Sequence, residues 1–87
     1  MRLHHAAQRV IDEAQTSGHD LVYLVSEDKT TRYPWRLSLR YWTADPVTSS
    51  RVPTKVGLRW FRTPEQAYEA RDSLQAQEAL RVSDDGN

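Results

Sequence analysis

The sequence contains no cysteine among its 87 residues. This absence excludes disulfide bonds, thiol nucleophiles and thiolate zinc sites. The longest apolar run, residues 21–25, is far shorter than the roughly 20 residues that a membrane-spanning helix needs, and polar residues interrupt any signal-peptide segment near the N-terminus. Twelve basic residues balance twelve acidic ones. We therefore expect a single soluble, cytoplasmic domain with a modest core and no membrane partner.

The sequence also lacks a constellation of residues that would indicate catalysis. His4 and His5 are adjacent and would lie on different sides of a helix, and no third residue has the spacing of a metal ligand. His19 and Asp20 are neighbours in a polar turn, and adjacency in sequence does not make a catalytic triad. No glycine-rich phosphate loop or activated nucleophile is present. We predict a protein that is not an enzyme and that holds neither a cofactor nor a metal ion.

The charges are distributed unevenly along the chain. Residues 29–62 contain eight lysines or arginines and one aspartate, which gives +7, whereas residues 1–28 carry −3 and residues 63–87 carry −4. Six of the eight aromatic residues lie in the same basic segment. Basic and aromatic side chains on one element are typical of nucleic-acid-binding surfaces, so the zero net charge does not argue against this function.

Apolar spacing and turn signals predict the element order α-β-β-β-α. The predicted helices and strands cover residues 3–16, 21–25, 33–42, 55–61 and 64–79. Thr63 is the expected N-cap of the second helix, with Pro64 at its first position. The polar residues 43–53 should form an extended arm between two strands. We assign residues 1–82 to one α+β domain, a three-stranded antiparallel sheet packed on helices, and residues 83–87 to a disordered tail.

Alternation divides the second and third predicted strands into an apolar face and a polar face. The apolar face should lie under the helices and carries Trp35, Leu37, Leu39, Tyr41, Val56, Leu58 and Trp60. The polar face carries Arg36, Ser38, Arg40, Trp42, Lys55, Gly57, Arg59 and Phe61. The helices should add Leu3, Val10, Ile11, Ala67, Ala70 and Leu74 to the core. A shift of one residue in register would exchange the two faces.

The polar face is the predicted nucleic-acid-binding site, with duplex DNA as the favoured partner. Its candidate residues are Arg36, Arg40, Trp42, Arg51, Lys55 and Arg59. The cations would attract phosphate groups, and Trp42 would stack on a base or against a sugar. The alternative interpretation is that these basic side chains only keep the strand surface in water and prevent pairing at the sheet edge.

From Trp35 onward, the sequence resembles the three-stranded-sheet-plus-helix fold of AP2-type domains and of the arm-binding domains of phage integrases. The similar stretches, over roughly residues 33–77, are WRLSLRYW and VGLRWFRTPEQAYEARDSL. The resemblance implies that the sheet enters the major groove of DNA and that the contacts come from Arg36, Arg40, Trp42, Lys55 and Arg59. The chain departs from this family because Gly57 lies four residues before Phe61 rather than beside it, and because a further helix precedes the sheet.

The predicted element order is also that of double-stranded-RNA-binding domains. Those domains bind through a lysine-rich start of the second helix, whereas here that helix begins with Glu65 and Glu69, which would repel phosphate. The likeness is therefore limited to topology.

The first predicted strand favours a second class of function. Val22 and Leu24 lie on one of its faces, and the other face is apolar as well. If both helices cover one side of the sheet, these two residues stay exposed near Trp42, as in protein interfaces that combine apolar surface with arginine and tryptophan. Phage and mobile-element inhibitors of host machinery, anti-CRISPR proteins among them, are similar in size. The alternative partner is thus a host protein or a nucleoprotein complex.

Overall fold

The structure, a computed structural model, describes residues 4–85 and confirms the predicted α+β fold. Over these residues the elements are α1 (His5–Ser17), β1 (His19–Glu27), β2 (Trp35–Ala44), β3 (Arg51–Phe61) and α2 (Pro64–Asp85). The strands form one antiparallel sheet in the order β1-β2-β3, with β2 in the centre. Thr63 caps α2 as predicted, because its side-chain oxygen accepts a hydrogen bond from the backbone N–H of Gln66 at 3.3 Å.

Both helices pack against the same face of the sheet, so the molecule has two layers. Its shortest dimension, 19 Å, fits one sheet covered by one layer of helices. The buried apolar cluster between the layers comprises Ala7, Ile11, Ala14, Tyr23, Leu37, Leu39, Tyr41, Leu58, Phe61, Ala67, Ala70 and Leu74. Over residues 4–85, neither helix contains an apolar stretch of the length that crossing a bilayer requires.

Most of the predicted core positions are in this cluster. Trp35, Val10 and Val56 are only partly buried and pack against its border. Leu3 lies outside the described residues. The remaining exception is Trp60, which is exposed.

The connection between α1 and β1 depends on a glycine. Gly18 ends the helix, and its backbone N–H donates to the carbonyl oxygen of Ala14 at 2.7 Å. A Cβ at this position would lie 2.6 Å from Cδ2 of Tyr41, which is too close for any other residue. The close approach packs the end of α1 against the centre of the sheet without a connecting loop.

Several boundaries differ from the sequence prediction, most of all in the connection between β2 and β3 and at the end of α2. The expected arm over residues 43–53 is wrong, because β2 and β3 continue into it and leave residues 45–50 as a short turn. Asp45 organises this turn: its side chain accepts a hydrogen bond from the N–H of Val47 at 2.8 Å, and its carbonyl oxygen accepts one from Ser49 at 2.8 Å. At the other end, α2 continues to Asp85. Of the expected disordered tail, residues 83–85 are helical and the last two residues lie outside the described part of the chain.

A β-bulge at Leu58 interrupts the alternation of β3. Leu37 of β2 pairs with Arg59. The next residue of β2, Ser38, pairs with Gly57, so Leu58 is an extra residue without a partner. Such a bulge bends the strand and re-aims the side chains that follow it.

The bulge reverses three predictions about the end of β3. Phe61, expected on the polar face, points toward the helices and is buried, whereas Trp60, expected in the core, is 47% exposed. Arg59 also changes sides, because its partner Leu37 lies under the helices. The prediction that alternation continues without interruption to the end of the strand was therefore wrong.

Candidate nucleic-acid interface

We call the side of the sheet opposite the helices the open face. Directly paired residues of antiparallel strands project on the same side, so the strand register defines its members. They are His19, Val22, Leu24 and Ser26 on β1, Arg36, Ser38, Arg40, Trp42 and Ala44 on β2, and Arg51, Pro53, Lys55, Gly57 and Trp60 on β3. The surface thus joins an apolar strip on β1 to a basic and aromatic area on β2 and β3.

Arg40 and Lys55 form a pair of like charges at the middle of this area. They are direct cross-strand partners and both are exposed. Among the described side chains, no carboxylate lies within 4 Å of either cation. Because like charges directly opposite each other destabilise a sheet, this arrangement costs free energy that a bound anion would relieve.

Trp60 and Arg36 converge over Gly57. Trp60 pairs with Arg36 across the strands. A Cβ added to Gly57 would lie 2.9 Å from Cη2 of Trp60 and 3.7 Å from Cδ of Arg36. The glycine therefore leaves room for the indole ring, with the arginine stem beside it, and a larger residue here would displace the ring.

Ser38 forms the floor between the two arginines of β2. Only 1% of its surface is exposed although no helix covers it, so its neighbours on the open face must enclose it. Its hydroxyl oxygen and Nε of Arg36 are buried and have no hydrogen-bond partner among the described residues. A ligand would reach either atom only after the covering side chains move.

Trp42 lies toward the other end of the open face. It is partly buried and pairs with His19 on one side and with Pro53 on the other. Because Trp60 pairs with Arg36, six residues from Trp42 along β2, the two tryptophans are about 20 Å apart at the rise of an extended strand. Both tryptophans flank the cations, and Trp60 is the aromatic residue that the sequence interpretation assigned to the core.

Arg51, another predicted binding residue, forms an ion pair with Asp20. Its Nη2 lies 2.9 Å from Oδ2 of Asp20. Asp20 has a positive φ of 56° and lies in a register shift of β1 between His19 and Val22. Both side chains are more than 60% exposed, so the pair contributes about 0 to 1 kcal/mol. Arg51 thus lies at the end of the sheet with its charge already balanced.

Arg59 lies in a separate cleft rather than on the open face. We call the space between the end of β3 and the start of α2 the edge cleft; its lining includes Tyr33, Arg59, Trp60, Arg62, Gln66 and Glu69. The guanidinium carbon of Arg59 lies 5.0 Å from the centre of the Phe61 ring. The three-residue spacing of Leu58 and Phe61 next to a glycine is the sequence signal that could have indicated the bulge and this change of side.

The helix layer carries most of the acidic groups, away from the open face. They include Asp12, Glu13, Glu65, Glu69, Asp72 and Glu78. Hydrogen bonds from Arg81 hold the pKa of Glu78 below its usual range, against the opposing effect of burial, and Gln15 of α1 donates a further bond at 3.2 Å. Glu78 therefore links the two helices and lies away from the open face.

The described residues were also compared with the requirements of a metal site and with known proteins. Over residues 4–85, no group of three or more histidine, aspartate or glutamate side chains is arranged to hold a metal ion. Comparisons with protein-family models, with curated proteins and with solved structures found no match to this chain.

Proposed function

We propose that this protein binds duplex DNA through the open face of its sheet. The observation that carries the proposal is the exposed Arg40–Lys55 pair, which has no neutralising carboxylate within 4 Å among the described side chains and lies between two tryptophans. Arg36 adds a third cation to the same surface. Phosphate groups would remove the repulsion between these charges, and the indole rings would contact sugars or bases.

The dimensions of the sheet support a duplex as the ligand. Three strands spaced at about 4.8 Å span about 10 Å between the outer two, and the major groove of DNA is about 12 Å wide. In that position the central strand, β2, lies deepest in the groove. Its arginines, Arg36 and Arg40, would then approach base edges, while Lys55 on β3 would approach a phosphate.

The separation of charge between the two layers supports the same orientation. The cations of the open face and the acidic groups of the helices lie on opposite sides of a thin molecule. A polyanion would attract the first layer and repel the second, so electrostatic steering would orient the protein before contact. The zero net charge of the chain does not oppose this attraction because the potential is local.

A salt titration tests the proposal. We expect binding of a random-sequence duplex at low salt, with the logarithm of affinity falling against the logarithm of salt with a slope of about −1 for each phosphate that a cation contacts. The double variant Arg40→Ala/Lys55→Ala should make the slope shallower by about one through the loss of Lys55, and by about two if Arg40 also contacts a phosphate. Arg71→Ala is the matched control, because Arg71 lies on α2 beside Asp72 and its loss changes the net charge in the same direction. Absence of binding at tens of micromolar duplex at low salt, where non-specific binding normally registers, would overturn the proposal.

The apolar strip on β1 supports one second candidate, an inhibitor of a host protein or nucleoprotein complex. Val22 and Leu24 lie on the open face and remain partly exposed beside Arg40 and Ser38. A protein partner would bury them together with Trp42, as the apolar centre of an interface with a basic rim. Val22→Ser/Leu24→Ser should then abolish complex formation with that partner, whereas the DNA proposal predicts that the same double variant retains its DNA affinity and salt slope.

A further inference from the structure

We propose that the edge cleft is a phosphate-binding site that holds one backbone of the duplex whose groove receives the open face. The inference rests on the proposed function and extends it to a surface outside the open face. It assigns a ligand, a backbone phosphodiester, to Arg59 and Arg62. These two arginines have no role in the open-face interaction.

The first argument is the way in which aromatic rings support the two arginines. The guanidinium of Arg59 lies over Phe61 at 5.0 Å and that of Arg62 lies over Tyr33 at 5.3 Å, measured to the ring centres. Nη2 of Arg62 also donates a hydrogen bond to the hydroxyl of Tyr33 at 3.4 Å. An aromatic ring packed against a guanidinium limits the orientations of this planar group. Its N–H groups then stay directed to one side, in the geometry that binds two oxygens of a phosphate.

The second argument is the position of the cleft relative to a bound duplex. β3 is an edge strand, and its bulge turns Arg59 from the open face toward the helix layer. The major groove is about 8.5 Å deep. With the sheet inside the groove, the edge of the groove would lie at the height of the space between the sheet and the helices. The backbone phosphates at that rim would meet the edge cleft, while the groove floor met the open face.

The third argument is the charge of the cleft compared with the opposite edge of the sheet. The lining of the edge cleft includes two arginines and one carboxylate, that of Glu69. On the β1 edge the carboxylates of Asp20 and Glu27 form ion pairs with Arg51 and Lys29, at 2.9 Å and 3.8 Å. The described lining of the edge cleft therefore contains more cations than carboxylates, whereas these charges on the β1 edge are balanced, so the phosphate backbone should contact the β3 edge.

Salt titrations of two single variants test the assignment. Arg59→Ala and Arg62→Ala should each make the salt slope shallower by about one for every duplex sequence tested, without changing sequence preference. Arg71→Ala, on α2, is again the control and should leave the slope unchanged. Melting temperatures establish that each variant is folded. If Arg59→Ala does not fold, because Arg59 packs on Phe61, Arg62→Ala alone decides the outcome.

The variant Tyr33→Leu tests whether binding depends on the position of the Arg62 guanidinium as well as on its charge. It removes the ring beneath Arg62 but keeps every charge, so we expect weaker binding of the same duplex. Unchanged affinity in this variant would overturn the assigned role of the ring in holding the guanidinium.

An NMR titration with inorganic phosphate distinguishes the source of the phosphate. We expect the signals of Arg59 and Arg62 to shift with duplex DNA and to stay in place at the same concentration of free phosphate. Equal shifts with free phosphate would identify a small-anion site and overturn the backbone assignment.

The failures of the two proposals can be distinguished. A slope that changes in Arg40→Ala/Lys55→Ala but not in Arg59→Ala or Arg62→Ala would overturn the cleft assignment and leave the open-face proposal standing. Absence of DNA binding by the unmodified protein would overturn both.

Discussion

The two faces of the central strand use neighbouring residues for opposite purposes. Leu37 and Leu39 on the covered face are completely buried, and the residues next to them, Arg36 and Arg40, belong to the open face. Burial of apolar surface determines the covered face, because each side chain there stabilises the fold. Stability does not explain the open face, where two like charges oppose each other. The covered face of β2 therefore stabilises the fold, whereas its open face is available for a ligand.

The largest expected effect is on the covered face. Leu39→Ala should lower the free energy of unfolding by about 2 to 5 kcal/mol, because it leaves a cavity between the sheet and the helices. Urea unfolding measures this loss. Under conditions in which the variant is still folded, its DNA affinity should match that of the unmodified protein. A loss of affinity larger than the unfolded fraction explains would break the division of roles between the faces.

A second effect on the covered face depends on pH. Burial raises the pKa of Tyr23 to about 12, with a further contribution from the charge of Glu78. The unfolded chain loses this proton near the ordinary tyrosine pKa of about 10. The contribution of Tyr23 to stability is therefore complete below a pH of about 10. It falls by roughly 2 to 3 kcal/mol as the pH rises to about 12. Denaturant unfolding across this range measures the loss, and Tyr23→Phe should show a smaller one.

On the open face, the expected effects are on binding. Arg40→Ala should weaken DNA binding by about 1 to 3 kcal/mol and relax sequence preference if the guanidinium reads a guanine edge from the central strand. Lys55→Ala should weaken binding of all sequences alike and make the salt slope shallower by about one. Competition between duplexes of different sequence distinguishes base recognition by Arg40 from phosphate contact by Lys55. Identical behaviour of the two variants would indicate that Arg40 contacts only phosphate.

The smallest expected effect concerns Ser38, which is as buried as Leu39 but lies on the other face. Ser38→Ala removes a hydroxyl that has no hydrogen-bond partner among the described residues. An unsatisfied buried polar group costs about 1 to 3 kcal/mol, so the variant should be neutral or slightly more stable in urea unfolding. A clear loss of stability would show that the hydroxyl is satisfied in solution, for example by water.

The sequence predicts those parts of the fold that local patterns control. The alternation of β2 places Leu37, Leu39, Arg36 and Arg40 on the correct faces, and the Thr63 cap fixes the start of α2. These signals are reliable because one face of each element must meet the core. The functional role of the open-face residues stays a prediction.

The errors occur where contacts between distant residues decide the structure. Trp60 is exposed because the bulge and the close approach at Gly57 place its ring on the open face, and uninterrupted alternation cannot indicate either. Arg51 meets Asp20, which is 31 residues away in sequence. Such pairings depend on the complete register of the sheet, so a pattern within one strand does not reveal them.

The bulge at Leu58 also has an evolutionary consequence. Loss of that single codon would remove the unpaired residue and leave the pairs on either side of it intact, Ser38 with Gly57 and Leu37 with Arg59. Arg59, Trp60 and Phe61 would therefore keep their sides, and the strand would lose only its local bend and the buried side chain of Leu58. Related chains with or without this residue would present the same open face, so the bulge is a position at which the length of the chain can vary without an exchange of the two faces.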